Sequence, residues 1–437
     1  NVSVDGGTIK LDGNYPVGAS NVALGNDALI SGSLSGGANT AIGNSSLYTN
    51  TSGAQNVAVG NVALYTNSTG FDNTAVGANS MQYSTTGSYN TALGRQSLWN
   101  NTTASSNTAV GYQSLYANTT GADNLAVGVK ALLTNTTGVL NVSVGNSSMR
   151  LNTTGGYNTA LGTDALRSNT TASNNTAVGY QALRDNTTGS ENAGLSDSAL
   201  MLNTTGNYNA AAGRGALNVN TTGSNNSAFG MLALSANTTA SESTAVGYQS
   251  LYNSNAADNT AIGTQSQKST TSGSNNTSVG AGSSYANTTG SYNTSLGRSA
   301  LFSNTTASNN TAVGYQAGYN SLVGRTTALG YQAAFSNANE YIVAVGYSAL
   351  KNSTGGANTA VGHASGFNTT TGASNVSMGH DSFNANTTGS GNIAIGHDTL
   401  RSNTTADDNV AVGYLALSAN TTGGNLTAIG KGALTAN

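Results

Sequence analysis

The 437-residue sequence contains no cysteine, a single proline and very few charged residues. Without cysteine the chain cannot form a disulfide scaffold or a thiolate site for zinc or an iron–sulfur cluster. Only 7% of its residues are charged, and 13 Lys and Arg leave a net charge of −3. Clustered positive charge is what binds nucleic acid, so we expect no such partner. No apolar run approaches the roughly 20 residues of a membrane-spanning helix, so we expect no membrane insertion.

The uncharged residues that dominate the sequence recur with a nearly constant period. The pentapeptide Asn107–Gly111 returns 25 times, counting one copy in which Ser196 stands in place of the glycine. Of the 24 steps between copies, 19 are 17 residues long, four are 16 and one is 18. This self-similarity is typical of a stacked repeat protein, and 17 residues are too few for a helix–turn–helix unit.

We number the repeat unit from 1 to 17 and place the glycine of the pentapeptide at position 5. The consensus is Asn-Thr-Ala-Val-Gly-Tyr-Gln-Ala/Ser-Leu-x-x-Asn-Thr-Thr-Gly-x-x. Position 3 is Ala, Ser or Gly in all 25 units, and position 9 is Leu, Met or Phe in 20 of them. Constant small and apolar positions between variable polar positions indicate coils that stack on one another.

The pattern predicts an all-β parallel β-solenoid of about 25 coils of 17 residues. Thr, Val and Ile in positions 1–5 favour a strand, whereas the glycines and the Asn-Thr-Thr-Gly turn disfavour a helix. Alternation along the strand predicts that positions 4 and 9 point into the coil. The small position 3 would then contact another chain or the opposite side of the coil. So few apolar side chains per coil make us expect a second buried surface, formed in an oligomer.

The repeat also sets the expected domain organisation. Residues 1–20 form a non-repeating connector, and residues 21–437 form the repeat domain, with an irregular stretch at 314–362. There the 16-residue steps cluster and the Asn-Thr-Thr-Gly turn is lost, so we expect a thinner core. The chain begins at Asn1 rather than Met and stops within a repeat. We therefore expect an attachment segment and a C-terminal tip outside this sequence.

The segment Asn107–Leu115 and its copies resemble the Asn-Ser-Val-Ala-Ile-Gly-x-x-Ser head repeat of trimeric autotransporter adhesins. The resemblance extends from Asn21 to Asn437. The Asn-Thr-Thr-Gly turn, longer than in the adhesin repeat, and the upstream segment Gly6–Val17 make the chain similar to tail fibres of marine bacteriophages that use this repeat. The resemblance implies a left-handed β-roll, an intertwined homotrimer and a place in the virion tail. It also implies a structural role in host attachment, with phage tail or baseplate proteins and a host glycan or outer-membrane receptor as partners.

Three other functions stay open from the sequence. The first is the head of a bacterial trimeric autotransporter adhesin at the cell surface. The second is an ice-binding solenoid, although its usual Thr-x-Thr spacing is replaced here by adjacent threonines in the turn, such as Thr119 and Thr120. The third is a polysaccharide-cleaving tailspike, which needs paired carboxylates, whereas most of the 16 acidic residues stand alone. We expect no catalytic residue, no cofactor and no metal site.

The candidate binding residues lie at position 6 near the C-terminal end, where seven consecutive units carry a ring. These residues are Tyr315, Tyr331, Tyr347, His363, His380, His397 and Tyr414. Aromatic faces suit the C–H surfaces of sugars, so the column is a candidate strip for host glycan, and rings that merely stabilise the stack are the alternative. The histidines could meet a transition metal if position 6 faced a threefold axis, but its variability favours solvent.

A second candidate column is position 10, where Arg150, Arg167 and Arg184 occupy successive units. Like charges on adjacent coils repel unless an anion or an acidic side chain lies between them. The column therefore predicts either splayed, solvated side chains or contact with phosphate on lipopolysaccharide or teichoic acid. Asparagine is assigned to the turns, because it tolerates left-handed conformations and bonds its own backbone. The many Asn-x-Thr sequences are assigned to that turn chemistry and not to glycosylation.

Overall fold

The computed structural model describes residues 20–31 and 34–435 and confirms the all-β parallel solenoid. One compact unit ends at Thr222 and a second begins at Gly223, and each is a stack of coils with one short strand per coil. No helix occurs among the described residues. The connector predicted at 1–20 lies, apart from Ser20, outside the described residues. The left hand of the coil stays a prediction.

The strands lie at positions 2–4 of the repeat. Those of the first unit are β1 Val22–Leu24, β2 Thr40–Ile42, β3 Val57–Val59, β4 Thr74–Val76, β5 Thr91–Leu93, β6 Thr108–Val110, β7 Leu125–Val127, β8 Val142–Val144, β9 Thr159–Leu161, β10 Thr176–Val178, β11 Ala193–Leu195 and β12 Ala210–Ala212. Those of the second unit are β13 Ser227–Phe229, β14 Thr244–Val246, β15 Thr260–Ile262, β16 Thr277–Val279, β17 Thr294–Leu296, β18 Thr311–Val313, β19 Thr326–Leu329, β20 Ile342–Val345, β21 Thr359–Val361, β22 Val376–Met378, β23 Ile393–Ile395, β24 Val410–Val412 and β25 Thr427–Ile429. Within each unit, successive strands pair in parallel with equivalent repeat positions opposite each other, as in the pair Ala109 and Ala126.

Side chains at position 3 point into the coil, and those at positions 2 and 4 point outward. Ala109 is completely buried, whereas Val110 is partly exposed and Val313 is 36% exposed. Our prediction that position 4 is buried in the coil is therefore wrong. Side chains at position 3 contact the opposite side of their own coil, so they are not exposed for contact with another chain. The reason is space: a Cβ on Gly194 would lie 3.1 Å from the carbonyl oxygen of Ala199 in the same repeat and 3.3 Å from Cγ of Leu183 in the preceding one, so the interior admits a methyl group there and little more.

The apolar part of the core consists of positions 3, 8 and 9. Leu115 is fully buried, which confirms the prediction for position 9. In the second unit Leu301, Ala312 and Ala317 belong to one buried cluster. This arrangement places the small residues of the strand against the leucines that follow the glycine turn, so that large outward side chains at position 4 are left to solvent.

Two columns of buried asparagine complete the core. At position 1, the side-chain oxygen of Asn107 accepts hydrogen bonds from the backbone N–H and Nδ2 of Asn124, at 3.0 and 3.2 Å. At position 12, Nδ2 of Asn118 donates to Oδ1 of Asn101 at 3.0 Å and to the carbonyl of Gly121 at 2.9 Å. These bonds satisfy amides that would otherwise be costly to bury. The side chain of Asn118, which begins one of the Asn-x-Thr sequences, is thus buried inside the coil.

Position 5 requires glycine because the chain turns there with a positive φ and coils approach closely. Gly111 has φ of 127°, and a Cβ on it would lie 2.6 Å from the carbonyl oxygen of Gly128. Ser196 is the exception, because it keeps φ of 125° despite its side chain. An L-residue with a side chain is strained in this region.

The strain at Ser196 predicts that Ser196→Gly stabilises the first unit by roughly 1–3 kcal/mol, the usual cost of a disfavoured backbone conformation. We expect slower native-state hydrogen exchange of the amides in β10–β12. Gly111→Ser is the matched control, and it should accelerate exchange in the coils next to Gly111. Equal exchange in Ser196→Gly and the parent protein would show that the conformation of Ser196 is not strained.

In the irregular stretch 314–362 the core contains different residues but is still filled. β19 and β20 are four residues long, and Thr326 and Ile342 replace asparagine at position 1, both buried. Where position 9 is glycine, a neighbouring leucine occupies the space. Cδ2 of Leu301 lies 3.0 Å from where a Cβ on Gly318 would be. The expected thinner core is therefore partly refilled by apolar side chains from adjacent positions.

Candidate functional site

The seven rings at position 6 of the second unit form a continuous stack on the outer surface. All seven side chains are exposed. Successive ring centroids lie 5.3, 5.0, 5.0, 4.7, 4.9 and 5.5 Å apart from Tyr315 to Tyr414. The first five ring pairs are within 15° of parallel, and the last pair, His397 and Tyr414, is tilted by 43°. The expected alignment of one ring per coil is confirmed, and we call these residues the position-6 stack.

The stacking geometry changes what this surface can offer a ligand. Each inner ring has its two faces covered by the rings above and below, so ring faces are not presented outward. What remains accessible is the row of ring edges, with tyrosine hydroxyls and imidazole nitrogens. A flat aromatic platform for sugar C–H groups is therefore absent from the interior of the stack, whereas hydrogen bonding to hydroxyl or anionic groups is possible.

Acidic side chains accompany two of the histidines. Nδ1 of His380 lies 3.3 Å from Oδ2 of Asp381, and Nδ1 of His397 lies 3.0 Å from Oδ2 of Asp398. Asp398 is nearly buried, and Nη1 of Arg401 lies 3.3 Å from its Oδ1. One carboxylate is therefore compensated by a permanent cation and the other is not, although the two coils have the same local sequence pattern.

A second aromatic stack, at position 10, was not predicted from the sequence. In the second unit its rings are Tyr285, Phe302, Tyr319 and Phe335, with centroids 5.1 Å apart and planes within 8°. Nζ of Lys268 lies 5.7 Å from the ring centroid of Tyr285 at one end. These rings are half-buried, unlike those at position 6, so this stack mainly covers the coil. The recurrence of aromatic residues after 17, 17 and 16 residues was the available signal, but other residue types at position 10 of many repeats obscured it.

The arginine column at position 10 of the first unit is largely compensated by the chain itself. Nε and Nη2 of Arg184 donate to the two carboxylate oxygens of Asp185 at 2.8 and 2.6 Å, and this hydrogen bonding raises the pKa of Arg184. Nε of Arg167 lies 3.7 Å from Oδ1 of Asp164. Arg150 is partly buried and makes no ion pair among the described residues. Arg167 and Arg184 therefore each lie close to an acidic side chain, which reduces their capacity to bind an external phosphate.

The outward strand face forms an aliphatic surface along each unit. Position 4 is a large apolar residue in 24 of the 25 repeats, Ala212 being the exception, and neither position 2 nor position 4 is ever charged. Ile262, Leu296 and Ile395 are exposed by 39, 37 and 37%. We call the position-4 side chains the aliphatic stripe. Large exposed apolar patches commonly mark interaction sites, so the aliphatic stripe is a candidate contact surface.

A shallow groove on the first unit offers hydroxyl groups rather than acids. Its volume is about 560 Å³, and its lining residues are Thr66, Tyr83, Thr85, Asn100, Thr102 and Thr119. Glycoside hydrolysis requires a pair of carboxyl groups, and none of these lining residues supplies one. The groove can hydrogen-bond a polar chain but does not contain that catalytic pair.

The part of the chain that the structure describes has no helix long and apolar enough to cross a membrane. No protein-family model matches the chain, and no curated protein sequence matches it.

Proposed function

We propose that this chain is a structural, non-enzymatic fibre segment that self-associates along its aliphatic stripe and serves attachment to a bacterial surface. The observation that carries the proposal is the stripe itself. In the second unit it extends over 13 consecutive strands without one charged residue at position 2 or 4. Burial of such a surface stabilises an assembly by roughly 25 cal/mol for each Å² of apolar area removed from water.

A second copy of the same chain is the occupant that best fits the stripe. Adjacent coils repeat about every 4.8 Å, so an identical chain offers the same spacing and the same apolar chemistry at each coil. The resemblance to adhesin heads and phage tail fibres specifies three copies. Three chains of 43.3 kDa give an assembly of about 130 kDa, and a virion tail is the proposed location.

The attachment role is assigned to the surfaces that this packing leaves free. The position-6 stack presents hydroxyls and imidazole nitrogens at nearly regular intervals, and each copy carries the same row. Repeated weak contacts on linked copies give avidity without one strong site. We propose that this row hydrogen-bonds host surface glycan through ring edges, with phage tail or baseplate proteins holding the other end of the fibre.

The glycan role predicts that replacing Tyr315, Tyr331 and Tyr347 by phenylalanine weakens binding to immobilised bacterial lipopolysaccharide and capsule glycans at least fivefold. The substitution removes three outward hydroxyls and keeps the stacked rings, so the melting temperature should be unchanged. The measurement is the apparent Kd of the assembled protein on a glycan array.

The chain supplies a matched control for this experiment. Tyr112, Tyr180 and Tyr248 also occupy position 6 and are exposed, but they lie outside the stack. Their replacement by phenylalanine should leave glycan binding unchanged. Equal loss of binding in the two triple variants, or no loss in either, would remove the position-6 stack from the attachment role.

One observation favours ice binding as a second candidate. The six consecutive strands β14–β19 each carry an outward threonine at position 2, from Thr244 to Thr327, next to an aliphatic residue at position 4. The threonines are thus on the strand face and not only in the turns. Self-association through the stripe would bury this strand face, and ice could then not bind it. Thermal hysteresis of the protein would therefore support ice binding and oppose self-association through the stripe.

A further inference from the structure

We propose that His363, His380 and Asp381 form a surface site for one divalent transition-metal ion of the zinc, nickel or copper class. The site lies in the middle of the position-6 stack. It does not depend on the attachment role, and it is one that the sequence analysis did not expect.

The positions of the three side chains are close to those of a coordination shell. One nitrogen of each imidazole and one carboxylate oxygen of Asp381 lie within 4.8 Å of one another. Ligand atoms around a tetrahedral ion lie about 3.4 Å apart when the bonds are about 2.1 Å long. The pair formed by Nδ1 of His380 and Oδ2 of Asp381, at 3.3 Å, already has this spacing.

The remaining adjustment involves the ring of His363. The two imidazoles are 7° from parallel with centroids 4.7 Å apart, and a metal lies in the plane of each ring that binds it. One ring must therefore tilt to share an ion with the other. The outer edges of both histidines are exposed, and the 43° tilt between His397 and Tyr414 shows that neighbouring rings of this stack need not be parallel.

The charges around His363, His380 and Asp381 differ from those around His397 and Asp398, one coil further on. Nδ2 of Asn384 donates to Oδ1 of Asp381 at 3.1 Å, which orients the carboxylate and leaves Oδ2 beside His380. Among residues 20–31 and 34–435, no lysine or arginine forms an ion pair with Asp381. Asp398, in contrast, is paired with Arg401. An incoming cation meets an uncompensated negative charge at Asp381 and a neutralised one at Asp398.

The ligand types select the metal class. Two imidazole nitrogens with one carboxylate oxygen suit zinc, nickel and copper, whereas calcium and magnesium prefer sets of oxygen ligands. Water would complete the coordination, because the site is on the surface and three protein groups leave at least one position open. Each chain would hold one ion, so an assembly would carry identical ions at equivalent positions.

The test is calorimetric titration of the assembled, chelator-treated protein with zinc chloride and with nickel chloride. We expect one ion per chain, and we expect His363→Gln and Asp381→Asn each to weaken binding at least tenfold. Asp398→Asn is the matched control, with affinity within about twofold of the parent. Circular dichroism and sedimentation of each variant establish that the solenoid and its assembly persist. With copper, electron paramagnetic resonance should show coupling to two imidazole nitrogens, reduced to one in His363→Gln.

Three results would overturn the proposal. They are the absence of saturable binding, unchanged affinity in both His363→Gln and Asp381→Asn, and a loss in Asp398→Asn as large as that in Asp381→Asn. The last result would place the ion between His380 and His397 instead.

Discussion

Replacing Ile262, Leu296 and Ile395 by lysine is expected to convert the assembled protein into single chains. These side chains belong to the aliphatic stripe, and each is more than one-third exposed in a single chain, so lysine can be accommodated there without disturbing the coil. In an assembly the same lysines would be buried without partners, which costs several kcal/mol for each charge. Sedimentation equilibrium should report about 130 kDa for the parent and 43.3 kDa for the variant.

The control for this experiment introduces the same charges elsewhere in the same unit. Ser272, Thr289 and Thr388 are exposed at position 14, in the turn and away from the strand face. Their replacement by lysine should leave the mass of the assembly unchanged. A stripe variant that keeps the mass of the parent would exclude the stripe as the contact between copies, and a parent that is already a single chain would exclude self-association.

Asn107→Ala is expected to destabilise the first unit by roughly 1–3 kcal/mol, because it leaves one buried backbone N–H without an acceptor. The backbone N–H of Asn124 loses its acceptor on Asn107. The carbonyl of Gly121 loses the Nδ2 donor of Asn107 at 2.9 Å but keeps that of Asn118. Native-state hydrogen exchange should become at least about fivefold faster in β6 and β7, with a lower melting temperature.

Thr120→Ala is the control for the asparagine column, since Thr120 is exposed in the same repeat. Its effect should be within about 0.5 kcal/mol, as for an ordinary surface substitution. If Asn107→Ala is no more destabilising than Thr120→Ala, the asparagine columns are not a structural part of the core, and asparagine would be retained for its turn preference alone.

The period of the sequence was sufficient to predict the fold class and the strand in each unit, because stacked coils require equivalent residues at equal intervals. It was not sufficient to assign the faces of the strand. A strand with a small residue at position 3 and a large residue at position 4 can turn either side chain into the core. Apolar character alone predicted that the larger side chain, at position 4, is the buried one. The space between the strand and the leucine at position 9 decides the matter, because even a Cβ added to Gly194 would lie 3.3 Å from Cγ of Leu183.

The sequence was sufficient to predict that the rings of the position-6 stack align, but not how each ring is turned about its side-chain bonds. The occurrence of a ring at position 6 in every repeat from Tyr315 to Tyr414 predicted one ring per coil, and the structure confirms it. Whether rings present faces or edges depends on side-chain rotation, which a sequence period does not encode. The role of asparagine was missed for a similar reason: turn preference explains a single Asn118, but its bond to Asn101 exists only between coils.

The orientation of the strand and its contact with other copies can be tested together by cysteine labelling, because the natural chain contains no cysteine. Single substitutions Ala126→Cys and Val127→Cys would be exposed to a maleimide reagent, both in the assembled protein and in the background of the lysine variant of the stripe. The account predicts that Ala126→Cys is unreactive in both, since Ala126 is fully buried within its coil. Val127→Cys should be protected in the assembly and labelled rapidly in single chains. Rapid labelling of Ala126→Cys, or protection of Val127→Cys in the single chain, would contradict it.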